Sequence, residues 1–472
     1  MGLVDDSNAR SAHVQCGGQA LQLRCVCSLR TPRTAARETN QPLPQDFHTV
    51  PQPGLGHRAI HEPRGKVLGG SSSINAMVYI RGHALDFERW AHDEGARGWD
   101  YASVLPYFKR AQNHSLGADA YRGAKGPLQV KQVDPVTNPL FDVFEQAGVQ
   151  AGYRRTTDVN GYSQEGFGKF DMTIGPDGTR WSAAKAYLRT APRDRLTVVT
   201  KRTVKRVALD GKRAIGVVLD DDSVLRADRE VVLCAGAFGS PQLLMLSGIG
   251  PGGHLKEAGV GDAVVDNAGV GANLQDHLEV YLQYKCTQPV TLYPVGNWTL
   301  RYLHRRVAVG LEWFARGTGL GASNQFETGG FVRSRAGVRH PDVQYHFIPG
   351  AVLGQLEFLP LHAFQVHVGT LRPTSRGSVR LASLDPKASL RIDPNFLGTE
   401  EDVRDMRAAA RLADEVVQQA AFAPFRGERI RPSAAEVGSI QSDDVALDAW
   451  LKASSHSAYH VRCAPASCAC SS

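Results

Sequence analysis

Residues 63–77 of this 472-residue chain read PRGKVLGGSSSINAM, and no other segment is as informative about its fold. Two adjacent glycines and three serines lie between an aliphatic pair and Asn75. Glycine has no Cβ, so its backbone can contact a flat ligand directly, and the serine and asparagine side chains offer hydrogen bonds there. Taken alone, the stretch is more typical of an ordinary Gly/Ser loop. A second unusual segment, GSPQLLMLSGIG at residues 239–250, favours the ligand-binding interpretation.

Length and composition predict a globular protein with two or more core-forming units. A hydrophobic content of 42% and 48 glycines fit a loop-rich α/β or α+β protein. The net charge of +7 is spread along the chain, so we expect no nucleic-acid partner. The longest uncharged stretch, residues 231–253, is interrupted by glycines and prolines, and we therefore expect no transmembrane span.

The eight cysteines lie mainly near the two ends, and only Cys234 and Cys286 fall in the body of the chain. This placement excludes a disulfide framework for the body and favours a reducing compartment. The first forty residues are rich in arginine and lack a long apolar core, so no secretory signal is expected. Asp5 and Asp6 also argue against a transit peptide.

Three β-branched runs separated by turn residues predict strands, and they are residues 196–209, 214–225 and 230–236. The last run leads through a glycine turn into a helix that Ser240 and Pro241 would open. Residues 285–370 are rich in aromatic residues and histidines and indicate a separate sheet-containing unit.

An amphipathic helix is predicted after Thr399, which can form a capping box with Asp402. The apolar residues that follow recur at steps of three and four, which marks one buried helix face. These residues are Val403, Met406, Ala410, Ala413 and Val417.

Residues 64–91 and 236–250 match the two signature segments of the glucose–methanol–choline flavin oxidoreductases, and the chain resembles the choline-oxidising branch of that family. Further matches run in the expected order as far as His460. They are GARGWDYASVLPYFKRAQ, GVGANLQDHLEVY, FETGGFVRS, HPDVQYHFIPG, SDDVALDAWLKA and SAYH.

The resemblance implies an α/β fold in which a doubly wound sheet binds FAD and an interleaved antiparallel-sheet domain binds substrate. Residues 53–277 would be the FAD-binding region, 278–373 the substrate-domain region and 374–460 a truncated C-terminal region. Residues 1–52 and 461–472 match nothing in the family, and we expect the first of these segments to be disordered.

The resemblance also implies the reaction, which is oxidation of choline to betaine aldehyde by hydride transfer to FAD. Another primary alcohol is an alternative substrate, and a catalytically inactive truncated isoform is a further alternative. The expected electron acceptor is a carrier such as a quinone. Mitochondria are the expected compartment, with the cytoplasm as the alternative, and peripheral membrane association is compatible with the sequence.

Matched positions supply the expected cofactor-binding residues. They are Gly69, Gly70, Ser71, Asn75, Ala76, Met77, Val78, Val204, Gly236 and Ala237. Some relatives attach FAD through a histidine before the asparagine, whereas this chain has Ile74 there, which implies non-covalent FAD. From its pattern alone, Val204 is as typical of a strand core as of an adenine contact.

His460 matches the family's catalytic histidine, and an imidazole suits a general base near neutral pH. The alternative is a surface histidine in an irregular tail. Glu327 matches an acid that faces the quaternary ammonium of choline in relatives, with a solvated strand carboxylate as the alternative.

A zinc cluster is the competing interpretation of the C-terminal histidines and cysteines. Structural zinc sites favour paired ligands about two to four residues apart within a firm turn, whereas here the cysteines trail into APASCACSS. We therefore predict no metal site from His456, His460, Cys463, Cys468 and Cys470.

Two departures from the family affect cofactor binding. We identify no strand, G-x-G-x-x-G turn and helix near the start, where relatives hold the FAD pyrophosphate at a helix N-terminus. The sequence after His460 also differs from the extension that supplies a second catalytic group in relatives. We therefore expect this polypeptide to bind FAD weakly or not at all.

Overall fold

The computed structural model describes residues 13–16, 19–22, 45–296, 299–353 and 357–462. Most of the segment 1–52 therefore lies outside the described residues, and so does 463–472. The expectation of disorder in the first segment and the fate of the last three cysteines fall largely in these parts of the chain.

The α-helices of the described residues are short except for α8. They are α1 (Ala84–His92), α2 (Tyr101–Ala111), α3 (Pro139–Gln150), α4 (Gly236–Leu246), α5 (Gly252–Glu257), α6 (Tyr293–Gly296), α7 (Leu303–Arg316), α8 (Glu400–Gln418) and α9 (Asp444–Ser454).

The strands of the described residues form one large sheet and several small ones. They are β1 (His13–Cys16), β2 (Gln19–Gln22), β3 (Gln45–His48), β4 (His61–Arg64), β5 (Val78–Tyr79), β6 (Gln112–His114), β7 (Leu128–Val130), β8 (Gly166–Lys169), β9 (Asp171–Met172), β10 (Val204–Asp210), β11 (Arg213–Leu219), β12 (Val224–Arg226), β13 (Ile249–Gly250), β14 (Val265–Asp266), β15 (Leu278–Cys286), β16 (Thr328–Val332), β17 (Val343–Ile348), β18 (Val352–Leu353), β19 (Glu357–Phe358), β20 (Ala363–Thr370), β21 (Ser378–Arg380), β22 (Arg391–Asp393), β23 (Arg426–Arg431) and β24 (His456–Ser457).

The large sheet is antiparallel and has the strand order β23-β15-β20-β17-β16-β8, with β24 also paired to β15. Four of its strands come from residues 278–373, as the aromatic-rich segment predicts. The other three come from before and after that range. The sheet therefore joins distant parts of the chain, and β24 brings the segment before His460 against β15.

The two faces of this sheet differ because side chains alternate along a strand. Along β15, residues 278, 280, 282, 284 and 286 belong to the main hydrophobic core. That core also contains apolar side chains of α3, α8 and α9, and it includes the stacked rings of Phe144 and Phe347, whose centroids lie 4.8 Å apart. The opposite face carries polar side chains, which are described with the site.

Helix α8 confirms the predicted amphipathic helix. Thr399 is its N-cap and accepts a hydrogen bond from the backbone N–H of Asp402, while Met406, Ala410 and the later apolar positions are buried. The reciprocal half of the capping box is absent, because the Asp402 carboxylate accepts hydrogen bonds from Thr374 and Ser375 instead. Tertiary contacts thus replaced a local one.

The cofactor-domain region contains smaller sheets around a second core. Strands β10, β11 and β12 form an antiparallel sheet against which α4 packs, and parallel pairs occur at β6–β7 and β13–β14. The mixture of helices and sheets confirms the α/β fold class. The strand predicted at 230–236 is wrong, since these residues make only an isolated bridge at Val232. Helix α4 begins at Gly236, so Pro241 lies inside it and does not open it.

Candidate active site

A cavity of about 320 Å³ brings together three distant segments of the chain. Gly70 and Ser71 line it from the Gly/Ser loop, Val204 from the start of β10, and Gly236 and Ala237 from the start of α4. Its volume is within the range of small-molecule sites. Half of the predicted cofactor-binding residues therefore surround one cavity, although they are separated by up to 167 positions in the chain.

Cationic side chains also line this cavity. Arg64, Lys66 and Lys387 are among the lining residues, and the guanidinium of Arg64 lies 4.7 Å from the ring centroid of Phe238. Guanidinium and ammonium groups are the usual partners of phosphate oxygens. The lining thus suits a ligand that combines an apolar ring with phosphate groups.

The Gly/Ser loop needs glycine at two positions for steric reasons. A Cβ on Gly65 would lie 2.3 Å from the carbonyl oxygen of Gly70, and Gly69 has a φ of +90°. The hydroxyl of Ser72 donates to the Gly69 carbonyl at 2.6 Å and accepts from the Ala183 N–H at 2.8 Å. The loop is therefore held in one shape by its own hydrogen bonds.

The remaining predicted cofactor residues, Asn75–Val78, follow the loop and do not line the cavity. Asn75 and Ala76 are exposed, and the Asn75 side-chain oxygen accepts a hydrogen bond from Arg180 at 2.8 Å. Val78 lies in β5, which pairs with β9. Ile74 is 43% exposed, so an apolar side chain and free amide edges share one surface beside the loop.

His460 lies against a second histidine, His277, which precedes β15. Their Nδ1 atoms are 3.3 Å apart and their rings are nearly perpendicular. His460 is accessible to solvent, yet the protein around it lowers its pKa by desolvation. Desolvation also lowers the pKa of His277 to about 3, with the nearby His460 as a smaller cause. Both imidazoles are therefore neutral at pH 7.

One carboxylate connects the two segments that carry these histidines. The Oδ1 atom of Asp276 accepts the backbone N–H of His277 at 2.9 Å, and its Oδ2 atom accepts the hydroxyl of Ser457. The Ser457 oxygen in turn accepts the N–H of Tyr459, which has a φ of +63°. The turn before His460 is thereby fixed against the start of β15.

The polar face of the large sheet carries a cluster of titratable and aromatic side chains. Glu279 accepts hydrogen bonds from the Tyr281 hydroxyl at 3.0 Å and from His367 Nδ1 at 3.3 Å. Phe326 lies 5.7 Å from His346 and 5.5 Å from His367, measured between ring centroids. These side chains are buried or half-buried, which is unusual for polar groups without a function or a full set of partners.

Electrostatics give this cluster a definite charge. Burial would raise the pKa of Glu279, but the adjacent His367, followed by His346 and His460, lowers it to about 2. Desolvation lowers the pKa of His346 to about 3. At neutral pH the cluster therefore holds one buried negative charge beside His460.

Glu327 is buried but lies apart from this cluster. Its Oε1 atom accepts the hydroxyls of Thr137 and Ser323, and its Oε2 atom accepts the Thr137 N–H at 2.7 Å. Its neighbour Phe326 contacts the two histidines of the cluster, so the two adjacent side chains have different surroundings. The structure does not bring Glu327 together with His460 among the contacts described above.

Sequence analysis missed Glu279, His346 and His367 as candidate site residues. The signal was available, because LEVYLQYKC, VQYHFI and AFQVHVGT each alternate apolar and polar residues. Such alternation normally indicates one solvated face. Here that face is covered, so its polar residues are concentrated in the interior of the protein.

The G-x-G-x-x-G spacing does occur once in the chain, at residues 248–253, and it does not form a nucleotide site. It leads into α5, which has only six residues. The Asp266 carboxylate already accepts the Gly252 N–H at 2.9 Å, so an anionic side chain occupies the start of that helix. A phosphate at this point would be repelled.

The potential metal ligands at the C-terminal end have separate contacts. His456 stacks on Tyr281 and His460 on His277, while the cysteines of that interpretation lie at 463–472, outside the described residues. Elsewhere in the described part, Asp46, His48 and His61 offer ligand atoms within 4.8 Å of one another. Asp46 and His61 form an ion pair, which accounts for this grouping without a metal.

Comparison with known proteins identifies the class of protein that this fold and site define. Two family models described as GMC oxidoreductase match residues 14–279 and 373–466. The chain belongs to this family of FAD-dependent oxidoreductases. The chain is 49% identical to the oxygen-dependent choline dehydrogenase of Brucella ovis over 418 residues, which cover 88% of this chain and 74% of that protein.

Other relatives extend the comparison to mammals and to solved structures. The mitochondrial choline dehydrogenase of Mus musculus is 49% identical over 422 residues, covering 88% of this chain and 68% of that protein. Pyridoxine 4-oxidase from Mesorbium loti has a TM-score of 0.77 and 29% identity, covering 89% of this chain and 77% of that one. An FAD-dependent oxidoreductase from Chaetomium thermophilum, 23% identical with a TM-score of 0.78, covers 89% of this chain and 80% of that one and shares the fold.

Proposed function

We propose that this chain oxidises choline to betaine aldehyde, using FAD as the hydride acceptor. The single observation that carries the proposal is the placement of a neutral histidine, His460, beside a buried anionic cluster centred on Glu279. A base for the hydroxyl proton and a counter-ion for the ammonium are the two groups that choline oxidation requires. The relatives named as choline dehydrogenases support the same substrate.

The residues around the cavity fit the adenosine and phosphate portion of FAD. Gly70 and Ser71 offer backbone amides where Gly65 allows close approach, Val204 and Ala237 supply apolar contacts, and Arg64 supplies positive charge. When bound, FAD supplies a two-electron acceptor for the alcohol carbon. Because Ile74 stands where a linking histidine would be required, we propose that FAD is held without a covalent bond.

His460 would accept the hydroxyl proton of the substrate. Its lowered pKa keeps the imidazole unprotonated at neutral pH, which a general base requires. A positioned base contributes about 10²–10⁴-fold to the rate. His277 would orient it, because the two rings contact each other and their backbones are joined through Asp276 and Ser457.

A buried carboxylate would recognise the quaternary ammonium, which cannot donate a hydrogen bond and is held by charge and aromatic contacts. Glu327 is the residue that sequence matching favours. Glu279 has the stronger geometric case, because it is charged at neutral pH, contacts Tyr281 and His367, and interacts electrostatically with His460. We propose Glu279 as the main counter-ion and Glu327 as a residue that shapes the nearby loop through Thr137 and Ser323.

Substrate kinetics with a neutral isostere test this proposal. At saturating FAD, choline and 3,3-dimethylbutan-1-ol, in which carbon replaces the charged nitrogen, are compared in the wild type, E279Q and E327Q. We expect E279Q to raise the KM of choline at least about tenfold, equivalent to 1.4 kcal/mol, and to leave that of the isostere nearly unchanged. A rise of the same size for both alcohols would contradict the proposed contact, and no turnover of choline by the wild type would contradict the proposed function.

The electron acceptor and the compartment are finer parts of the proposal. We propose a membrane quinone as the acceptor, in line with the expectation from the sequence, whereas the Brucella relatives are named oxygen-dependent. We propose a mitochondrial location because the mouse and human relatives are named mitochondrial. Oxygen uptake with choline, measured with and without a short-chain quinone, distinguishes the two acceptors.

A further inference from the structure

We propose that helix α7 (Leu303–Arg316) is a docking element for an anionic lipid surface. Most residues of this helix are exposed, and four apolar side chains at spacings of four, four and three share one face. They are Leu303, Val307, Leu311 and Phe314, which are 48%, 51%, 64% and 84% exposed. We call this set the α7 stripe.

Such a stripe differs from isolated exposed apolar residues. Single exposed leucines are common on soluble proteins, whereas contiguous apolar faces mark interaction surfaces. Leu300, which lies just before the helix and is 87% exposed, extends the stripe at its start. Interfacial helices bury such a face about 5–10 Å into the headgroup and acyl boundary.

The helix is tied to the body of the protein by a different side. The indole N–H of Trp313 donates to the Gly178 carbonyl at 3.0 Å, and the helix ends at Gly317, which has a φ of +66°. At 100° per residue, Trp313 and Val309 lie roughly 130° away from the centre of the stripe. The anchoring contacts therefore leave the stripe directed away from the protein.

Charge identifies the partner. Residues 300–316 contain four arginines, Arg301, Arg305, Arg306 and Arg316, and a single acid, Glu312. An apolar face bordered by arginine suits a surface of anionic phospholipid, where each basic residue changes partitioning by about fivefold. Among the described residues, no helix has the length and apolar character of a membrane span, so the association would be peripheral.

A second copy of the chain is a less suitable occupant. A symmetric dimer formed through α7 would place the same arginines of both copies opposite one another. Like charges at an interface cost several kcal/mol unless they are paired, and residues 300–316 offer only Glu312 for that purpose. A lipid surface has no such conflict.

Vesicle sedimentation tests the proposal without any dependence on choline or FAD. The 472-residue chain is mixed with vesicles of phosphatidylcholine alone, or of phosphatidylcholine and phosphatidylserine in equal parts. We expect sedimentation only with the anionic vesicles, weakening as salt is raised. The double variant L311S/F314S should lower the bound fraction at least about tenfold, and R301Q/R305Q about tenfold or more, from fivefold per arginine.

The control is the double variant Y162S/V445S, which removes two exposed apolar side chains elsewhere (91% and 83% exposed) and should bind like the wild type. All these positions are exposed, so thermal unfolding should change little and will confirm that each variant is folded. Equal binding of L311S/F314S and the wild type would overturn the proposal. Failure of the wild type to bind anionic vesicles would overturn it too, as would a dimer that only L311S/F314S dissociates.

Discussion

At the scale of single residues, His460 and Glu279 determine what the site can do. The matched sequence around residue 460 predicted the histidine, because a four-residue motif can carry a catalytic side chain. The same motif could not predict His277 as its partner, since the two are 183 positions apart and meet only through the pairing of β24 with β15. Glu279 was missed because its strand resembles an ordinary half-exposed strand in the sequence.

The pH dependence of catalysis is the first prediction at this scale. His460 must be unprotonated, and its pKa lies below the ordinary value of about 6.5. We expect kcat/KM for choline to be level at neutral pH and to fall only when the pH drops through this lowered pKa. The charge of Glu279 raises the pKa of His460, so E279Q should move the acid limb to still lower pH. A limb that moves upward or stays in place in E279Q would contradict this coupling.

Removal of the proposed base is the second prediction. H460Q keeps a polar side chain of similar reach but cannot accept the proton in the same way, so kcat should fall about 10²–10⁴-fold while FAD affinity stays unchanged. Rapid-mixing kinetics at saturating FAD measure the first quantity and a fluorescence titration the second. An H460Q variant with nearly full kcat would exclude His460 as the base.

At the scale of elements, the large sheet and the Gly/Ser loop build the site. The α8 helix and the strands β10, β15, β17 and β20 could be predicted from periodicity, because each buries one regular face. The strand expected at 230–236 could not form, because among the described residues no strand of a parallel sheet lies beside it. Strand formation depends on partners that a local pattern does not specify.

The buried histidines of the sheet region predict a pH-dependent stability. His277 and His346 have folded pKa values of about 3, whereas unfolded histidine has about 6.5. Between these values the unfolded chain binds more protons, so the free energy of unfolding falls as the pH drops below about 6.5, by at most about 1.4 kcal/mol per pH unit for each histidine. Urea unfolding across this range should give a shallower slope for H346Q, whereas H304Q on the exposed α7 should match the wild type.

The shape of the Gly/Ser loop gives a prediction about cofactor affinity. A methyl group on Gly65 would collide with the Gly70 carbonyl, so G65A should displace the loop and weaken FAD binding roughly tenfold or more, in line with a typical overpacking cost of 1–3 kcal/mol. G253A is the matched control, because a Cβ there meets no atom within 4 Å. Fluorescence titration of both variants is the measurement. Equal affinity of G65A and the wild type would show that the loop does not contact FAD.

At the scale of the whole molecule, the chain combines a well-formed substrate face with a cofactor cavity that has few phosphate-binding groups. Sequence analysis identified the family from two signatures, and the family models and relatives confirm it. No G-x-G-x-x-G turn occurs in the first fifty residues, and the one at 248–253 is occupied by Asp266. We therefore predict weak, reversible FAD binding, with the flavin lost on gel filtration. A stoichiometric flavin band that survives gel filtration would contradict this.

The most direct test of the central claim is anaerobic mixing of choline with the chain in the presence of excess FAD. The observed quantity is the visible absorption of oxidised flavin. If His460 and the Glu279 cluster form a choline-oxidising centre beside the cavity, choline should bleach this band and betaine aldehyde should appear in equal amount, while H460Q should bleach it at least a hundredfold more slowly. Flavin that binds to the chain and stays oxidised in the presence of choline would contradict the account.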